Sequence, residues 1–266
     1  MHTFNSAVKK VKDAALNLTT YGLKGGVMGA VLFLFYYQHF TEDDRYEKIA
    51  FDLLESVLLK ISVNEHYDYA SGITGIGNTL LFLTKENLIN VDSSDFFDDL
   101  DEIVLKKMQS KIIVNFSHDT GIIGLCRYAI QRPIKTEILQ YAFHHLTKGF
   151  EKTIYDINPI FLFPSEILQD IKLFLLEIAY IKEVTKQIAE LNQSINSFER
   201  EYSILQSNYS DYMLIQQLRE AEIRSNKEET KQLLAIIEKE SSDAVLEGLA
   251  YMNLAKPSLP PWWKLF

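Results

Sequence analysis

Nine of the eleven glycines fall into three clusters that recur with a nearly fixed step, and nothing else in the sequence constrains the fold as strongly. The clusters are Gly22, Gly25, Gly26 and Gly29; then Gly72, Gly75 and Gly77; then Gly121 and Gly124. Each contains a Gly-x-x-Gly, and successive motifs start 46 and 49 residues apart. A step of that size marks a chain built from repeated supersecondary units.

The segment after each cluster is repeated too. Gly29 leads into Ala-Val-Leu-Phe-Leu-Phe-Tyr-Tyr, Gly77 into Asn-Thr-Leu-Leu-Phe-Leu, and Gly124 into Leu-Cys-Arg-Tyr-Ala-Ile. A helix apolar on every side belongs in a buried layer. Each unit then turns polar and starts a second helix. Thr41-Glu-Asp-Asp44 reads as a capping box, and the helix after it carries Tyr46, Ile49, Ala50, Leu53, Leu54, Val57, Leu58 and Ile61 on one face. In the second unit Asp92, Ser93 or Ser94 caps a helix with Phe96, Phe97, Leu100, Ile103 and Val104. In the third, Pro133 ends the first helix and Thr136 caps the next, with Ile138, Leu139, Ala142, Phe143 and Leu146. Stacked units put the apolar helices inside and the amphipathic ones outside, as in an α/α toroid or an arc of one. The glycines then lie at one end of the inner helices, where close approach or positive φ calls for them. Phosphate loops are the weaker reading, since no Lys-Ser/Thr follows any cluster and no strand pattern precedes one.

The stretches Tyr21 to Tyr37, Tyr69 to Leu83 and Ser117 to Tyr128 resemble successive repeats of the lanthionine synthetase C (LanC-like) family. The resemblance covers about residues 15 to 150 and rests on three Gly-x-x-Gly helices in register. It implies an α/α barrel of six or seven helix pairs. It also implies one zinc, held by two cysteines and a histidine in later repeats, that turns a peptide cysteine into the thiolate attacking a dehydrated Ser or Thr. A metal-bound thiol loses its proton near neutral pH, which is the reason for the metal. The chain departs from that pattern. It has three clear repeats, a single cysteine, Cys126, and no Cys-His dipeptide. None of the family's zinc ligands can therefore be matched, and zinc stays an expectation of the resemblance alone; no other cofactor is expected.

Beyond Pro164 the glycines disappear until Gly248 and Glu, Gln, Lys, Ile and Leu take over. Ile181, Val184, Ile188, Leu191, Ile195, Phe198, Tyr202, Leu205, Tyr209 and Tyr212 alternate steps of three and four. Sustained 3.5-residue periodicity predicts a coiled-coil helix, about 48 Å long at 1.5 Å per residue. Ser225-Asn226-Lys227 reads as a turn into a second helix carrying Leu233, Leu234, Ile236, Ile237, Val245, Leu246 and Leu249. Two coiled-coil arrangements fit, an antiparallel hairpin or a homodimer through the first eight of those heptad positions, Ile181 to Leu205; the alternative is further barrel helices whose heptad spacing is accidental. The tail, 251–266, holds three prolines and ends in Trp262, Trp263, Leu265 and Phe266, which dock on the chain's own body or anchor a partner.

The expected organisation is thus all-α: helix-pair repeats over 1–150, long helices over 166–250, and a Pro/Trp-rich tail. A net charge of −9 argues against nucleic acid or acidic lipid as partner. The longest apolar run, Ala30 to Tyr37, is too short to span a bilayer, which takes about 20 residues, and the first twenty residues hold no signal-peptide core. A cytoplasmic protein is expected. Candidate peptide-binding residues are Gly26, Gly29, Gly72, Gly75, Gly121 and Gly124 with His118 and Asp119. His118 and Cys126 are the weak metal candidates, at a spacing unlike a standard site, and a lone cysteine on an apolar helix is ordinarily a core residue. No catalytic residue is assigned. The expected function is a non-catalytic LanC-like protein that binds a peptide or a partner enzyme in a peptide-modification pathway. The alternatives are an assembly protein acting through the coiled coil, and a thioether-forming cyclase.

Overall fold

The structure, a computed structural model, describes residues 2–15, 18, 20–60, 66–90, 94–109, 115–155, 165–202, 211–241 and 244–262. Among them there are twelve α-helices and no strand. No helix among the described residues is long and apolar enough to cross a membrane. The chain divides into two compact units interleaved along its length: Met1–His66 with Ala70–Ser93 and Ser210–Phe266, and Tyr67–Tyr69 with Ser94–Tyr209.

The first unit holds α1 (His2–Ala15), α2 (Val27–Thr41), α3 (Asp44–Leu58), α4 (Ile73–Lys85), α10 (Asp211–Ile223), α11 (Lys227–Glu240) and α12 (Ala244–Ala255). Its centre is α2, which packs against α1, α3, α4 and α12. Every residue from Val27 to Tyr36 is buried, as an all-round apolar helix requires. Burying each of its Leu, Val, Phe and Met side chains is worth roughly 1.5–3 kcal/mol. Phe35 meets Phe51 of α3 edge-on at 5.0 Å, and Tyr36 stacks on Phe82 of α4 at 6.3 Å. Gly248 of α12 faces the Phe33 ring, and a Cβ there would strike it. Helix α3 buries only Ala50, Leu53, Leu54 and Val57, its one apolar stripe.

The capping expected at Thr41 falls elsewhere. Helix α2 continues through Thr41, whose Oγ1 donates to the Tyr37 carbonyl, and ends where Glu42 turns left-handed at φ 59. Asp43 then caps α3, its side chain accepting from the Arg45 amide. The helix expected over 227–250 is two helices, with Ser241 extended between them. Asn226 caps α11 reciprocally with Glu229: Oδ1 accepts the Glu229 amide at 3.3 Å and Nδ2 donates to its Oε2 at 2.8 Å. Helices α10 and α11 pack together across the Arg224–Asn226 turn, and α11 packs on α12.

The tail docks within this unit. Trp262 is fully buried, Tyr36 Oη donates to the Pro260 carbonyl at 2.8 Å, and Lys256 Nζ donates to the His39 carbonyl at 2.7 Å. Residues 263–266, and with them Trp263, Leu265 and Phe266, lie outside the described residues.

The second unit holds α5 (Ser94–Gln109), α6 (Ile122–Ala129), α7 (Lys135–Tyr155), α8 (Ser165–Glu177) and α9 (Thr185–Tyr202). All eight residues of α6 are buried. Helices α5, α7 and α8 pack on it, and α9 packs on α7 and α8. Tyr128 Oη donates to Asp101 Oδ1 at 2.7 Å, and Arg132 pairs with the same carboxylate at 3.0 Å. Thr136, expected as a cap, lies inside α7, which begins at Lys135.

The heptad helix begins later than its periodicity suggests. Ile181 is extended, Lys182–Val184 form a 3-10 turn, and the α-helix starts at Thr185. Ile181, Val184, Leu191 and Ile195 are buried inside this unit and Ile188 is half-buried, so α7 and α8 already cover that face. The side chains of Phe198 and Tyr202, and all of Leu205 and Tyr209, lie outside the described residues.

Candidate functional site

The three glycine motifs build one and the same turn. Gly26, Gly72 and Gly121 are each the N-cap of an inner helix, with φ −121, −106 and −118. The next amide donates to a carbonyl seven residues earlier each time: Val27 to Thr20 at 3.0 Å, Ile73 to His66 at 2.9 Å, Ile122 to Asn115 at 3.0 Å. One of the otherwise orphaned amides at the helix start is thereby satisfied without a capping side chain. The extended φ values suit any residue, so positive φ is not what these caps need. Close approach is: a Cβ on Gly26 would meet the Gly22 carbonyl, and one on Gly121 the Asn115 carbonyl. Left-handed backbone occurs in these clusters only at Gly25, with φ 65.

In the first unit this turn opens onto a pocket of about 200 Å³. Gly25, Gly26, Gly29 and Ala30 form one wall. Lys10, Val11 and Ala14 of α1, with Leu18, Leu23 and Val245, complete the lining. Nothing lies within 4 Å of the place a Cβ on Gly25 would take. Two of the candidate peptide-binding glycines, Gly26 and Gly29, thus line a largely apolar pocket to which Lys10 also contributes. Gly72 and Gly75 are buried at the start of α4 and do not line it.

In the second unit His118, Asp119, Gly121 and Gly124 come together with partners far along the chain. His118 is fully buried. Its amide donates to Asp170 Oδ2 at 2.8 Å. Arg127 Nη1 lies 2.9 Å from His118 Nε2, and His118 Nδ1 lies 3.0 Å from Asp119 Oδ1. Arg127 Nη2 donates to Glu177 Oε1 at 2.9 Å. Tyr69 stands against the imidazole at 4.4 Å between ring centres, and its amide donates to the Asp119 carbonyl. Gly124 lets this happen, because a Cβ there would strike both the His118 carbonyl and the Tyr69 Cβ.

Sequence reasoning found His118 and Asp119 but missed Arg127, Glu177, Asp170 and Tyr69. A signal for Arg127 was present: it is the one charge in the otherwise apolar Ile-Ile-Gly-Leu-Cys-Arg-Tyr-Ala of α6, and a buried charge needs a partner. Glu177 and Asp170, about 50 residues on, carry no local signal.

The zinc that the resemblance brings does not fit these residues. Both His118 ring nitrogens already face protein partners. Cys126 is fully buried, and burial pushes its thiol well above the ordinary value, against the thiolate a metal needs. Among the described residues no group of three or more His, Cys, Asp or Glu side chains is placed to hold a metal ion. His145, from the His144-His145 pair, faces the Met108 carbonyl at 2.9 Å.

No family model matches the chain, and no curated protein or solved structure matches it.

Proposed function

We propose that this chain is a LanC-like helix-pair repeat protein, without a catalytic role of its own, that holds a peptide or partner of a peptide-modification pathway in the pocket at its first glycine turn. The observation that carries the reading is the pocket itself. An apolar concavity walled partly by glycine backbone lets an extended peptide approach closely, and it has room for one large apolar side chain. The identical closure of the three turns supports reading them as one repeated unit, an arc of an α/α toroid. The enclosure of His118 and Cys126 supports a binding rather than a thiol-activating role.

The test is selection of random peptides on the intact protein, followed by measurement of each binder on Ala14→Trp. Ala14 lines the pocket and is exposed, so an indole there fills the pocket while the core is left intact. The reading expects binders whose affinity drops about tenfold or more in the variant, a loss of about 1.4 kcal/mol. Binders that ignore the substitution contradict it.

A further inference from the structure

His118, in the turn that leads into α6, stands where α6 and α8 are tied together. Arg127 of α6 reaches His118 Nε2 with one guanidinium nitrogen and Glu177 of α8 with the other, at 2.9 Å each. Asp170, also of α8, accepts the His118 amide. The Arg127 and Glu177 side chains are only 7% and 15% exposed, and their charges cancel. The imidazole is fully buried.

Two neighbours pull the protonation of this ring in opposite directions. Arg127 can only donate, so its contact requires an Nε2 without a proton. Asp119 Oδ1, 3.0 Å from Nδ1, favours a charged ring. A second proton on the imidazole sets N–H against N–H at Nε2 and brings two cations into contact. Arg127 must then withdraw, and its enclosed side chain can do so only if α6 and α8 part. Tyr69 stands against the ring without a charge of its own. Helices α5 and α7 also pack on α6, and their buried ionisable groups are engaged elsewhere. Asp101 holds Tyr128 and Arg132, and His145 faces the Met108 carbonyl.

We propose that the His118–Arg127 contact is an acid-sensitive latch that holds α8 on α6. The closed form keeps the ring neutral, and the open form lets it charge near the ordinary histidine value of about 6.5. The latch is therefore whole above that pH and is lost as pH falls below it.

The test reads the latch through Cys126, the chain's only cysteine, fully buried on α6 beside Arg127. The probe is 4,4′-dithiodipyridine, which reacts with thiols in acid as well as at neutral pH. Its rate on the full chain, divided by its rate on the urea-unfolded chain at the same pH, gives the open fraction. From pH 7 to pH 5 that fraction rises about tenfold or more in the wild type. In His118→Gln, whose amide oxygen still accepts from Arg127 but takes no proton, it stays level. An open fraction that stays level in the wild type overturns the proposal, as does an equal rise in the variant. Should circular dichroism show the variant unfolded, nitrogen-15 NMR of the wild-type imidazole decides. Charging of His118 together with exposure of Cys126 supports the latch, and either one without the other overturns it.

Discussion

Arg127 Nη1 sits 2.9 Å from His118 Nε2, and a guanidinium nitrogen can only donate. The imidazole nitrogen must therefore accept, so the ring is neutral and its proton sits on Nδ1, facing Asp119. The same guanidinium pairs with Glu177 through Nη2. One arginine on a buried helix thus fixes a histidine tautomer and neutralises a carboxylate 50 residues away. Arg127→Leu strands Glu177, and the expected loss of stability is about 3–5 kcal/mol. Arg127→Leu/Glu177→Leu should recover much of it, because an apolar pair can replace a buried ion pair at little cost. Urea denaturation of both variants checks this; equal loss in both contradicts it.

Gly124 and Gly25 are glycines for different reasons, and alanine separates them. Gly124→Ala drives a methyl into the His118 carbonyl and Tyr69, an overpacking cost of about 1–3 kcal/mol. Gly25 has open space but a left-handed φ of 65, so Gly25→Ala costs about 1–2 kcal/mol through the backbone alone. Gly25→Asn should cost less than alanine, since asparagine tolerates that region. Gly124→Asn should cost more than alanine, because the larger side chain meets the same wall. Thermal melts of the four variants give the order.

Stability should fall in alkali. Burial raises the Cys126 thiol and the Tyr36 and Tyr128 hydroxyls above their ordinary values of 9.0 and 10.0. The folded chain keeps these protons where the unfolded chain releases them. Their contribution is whole below pH 9, and it declines as pH rises past the unfolded values toward the folded ones. Melting temperature followed from pH 8 to 11 should drop steadily above 9. Cys126 should likewise resist alkylation at pH 8 until denaturant is added.

The tail is held by one side chain more than by its hydrogen bonds. Trp262→Ala removes a fully buried indole and should cost about 3–5 kcal/mol. Tyr36→Phe removes only the bond to the Pro260 carbonyl and should cost about 0.5–1.5 kcal/mol. Proteolysis of the 256–262 segment should accelerate strongly in the first variant and little in the second.

The regular features of this chain were legible because they are local. Apolar runs behind Gly29, Gly77 and Gly124 announce buried helices, and the stripe from Ala50 to Val57 announces a one-sided one. The boundaries were less legible. Thr41 looks like a cap, yet the left-handed turn at Glu42 decides where α2 ends. Heptad spacing at Ile181 carries no information about the 3-10 turn that precedes α9. The site was half legible: His118 and Asp119 adjoin a glycine motif, whereas Tyr69, Asp170 and Glu177 reach them only through the fold. The glycine pocket escaped the sequence, because it assembles Val245 of α12 with residues distant in the chain.

Whether the first glycine turn holds a peptide is decided by photo-crosslinking a selected peptide that carries a diazirine on its apolar anchor residue, read by mass spectrometry. Adducts on Val11, Leu18, Leu23, Ala30 or Val245, lost in Ala14→Trp, are expected. Adducts confined to residues outside that pocket, unchanged in the variant, would refute peptide binding at this turn.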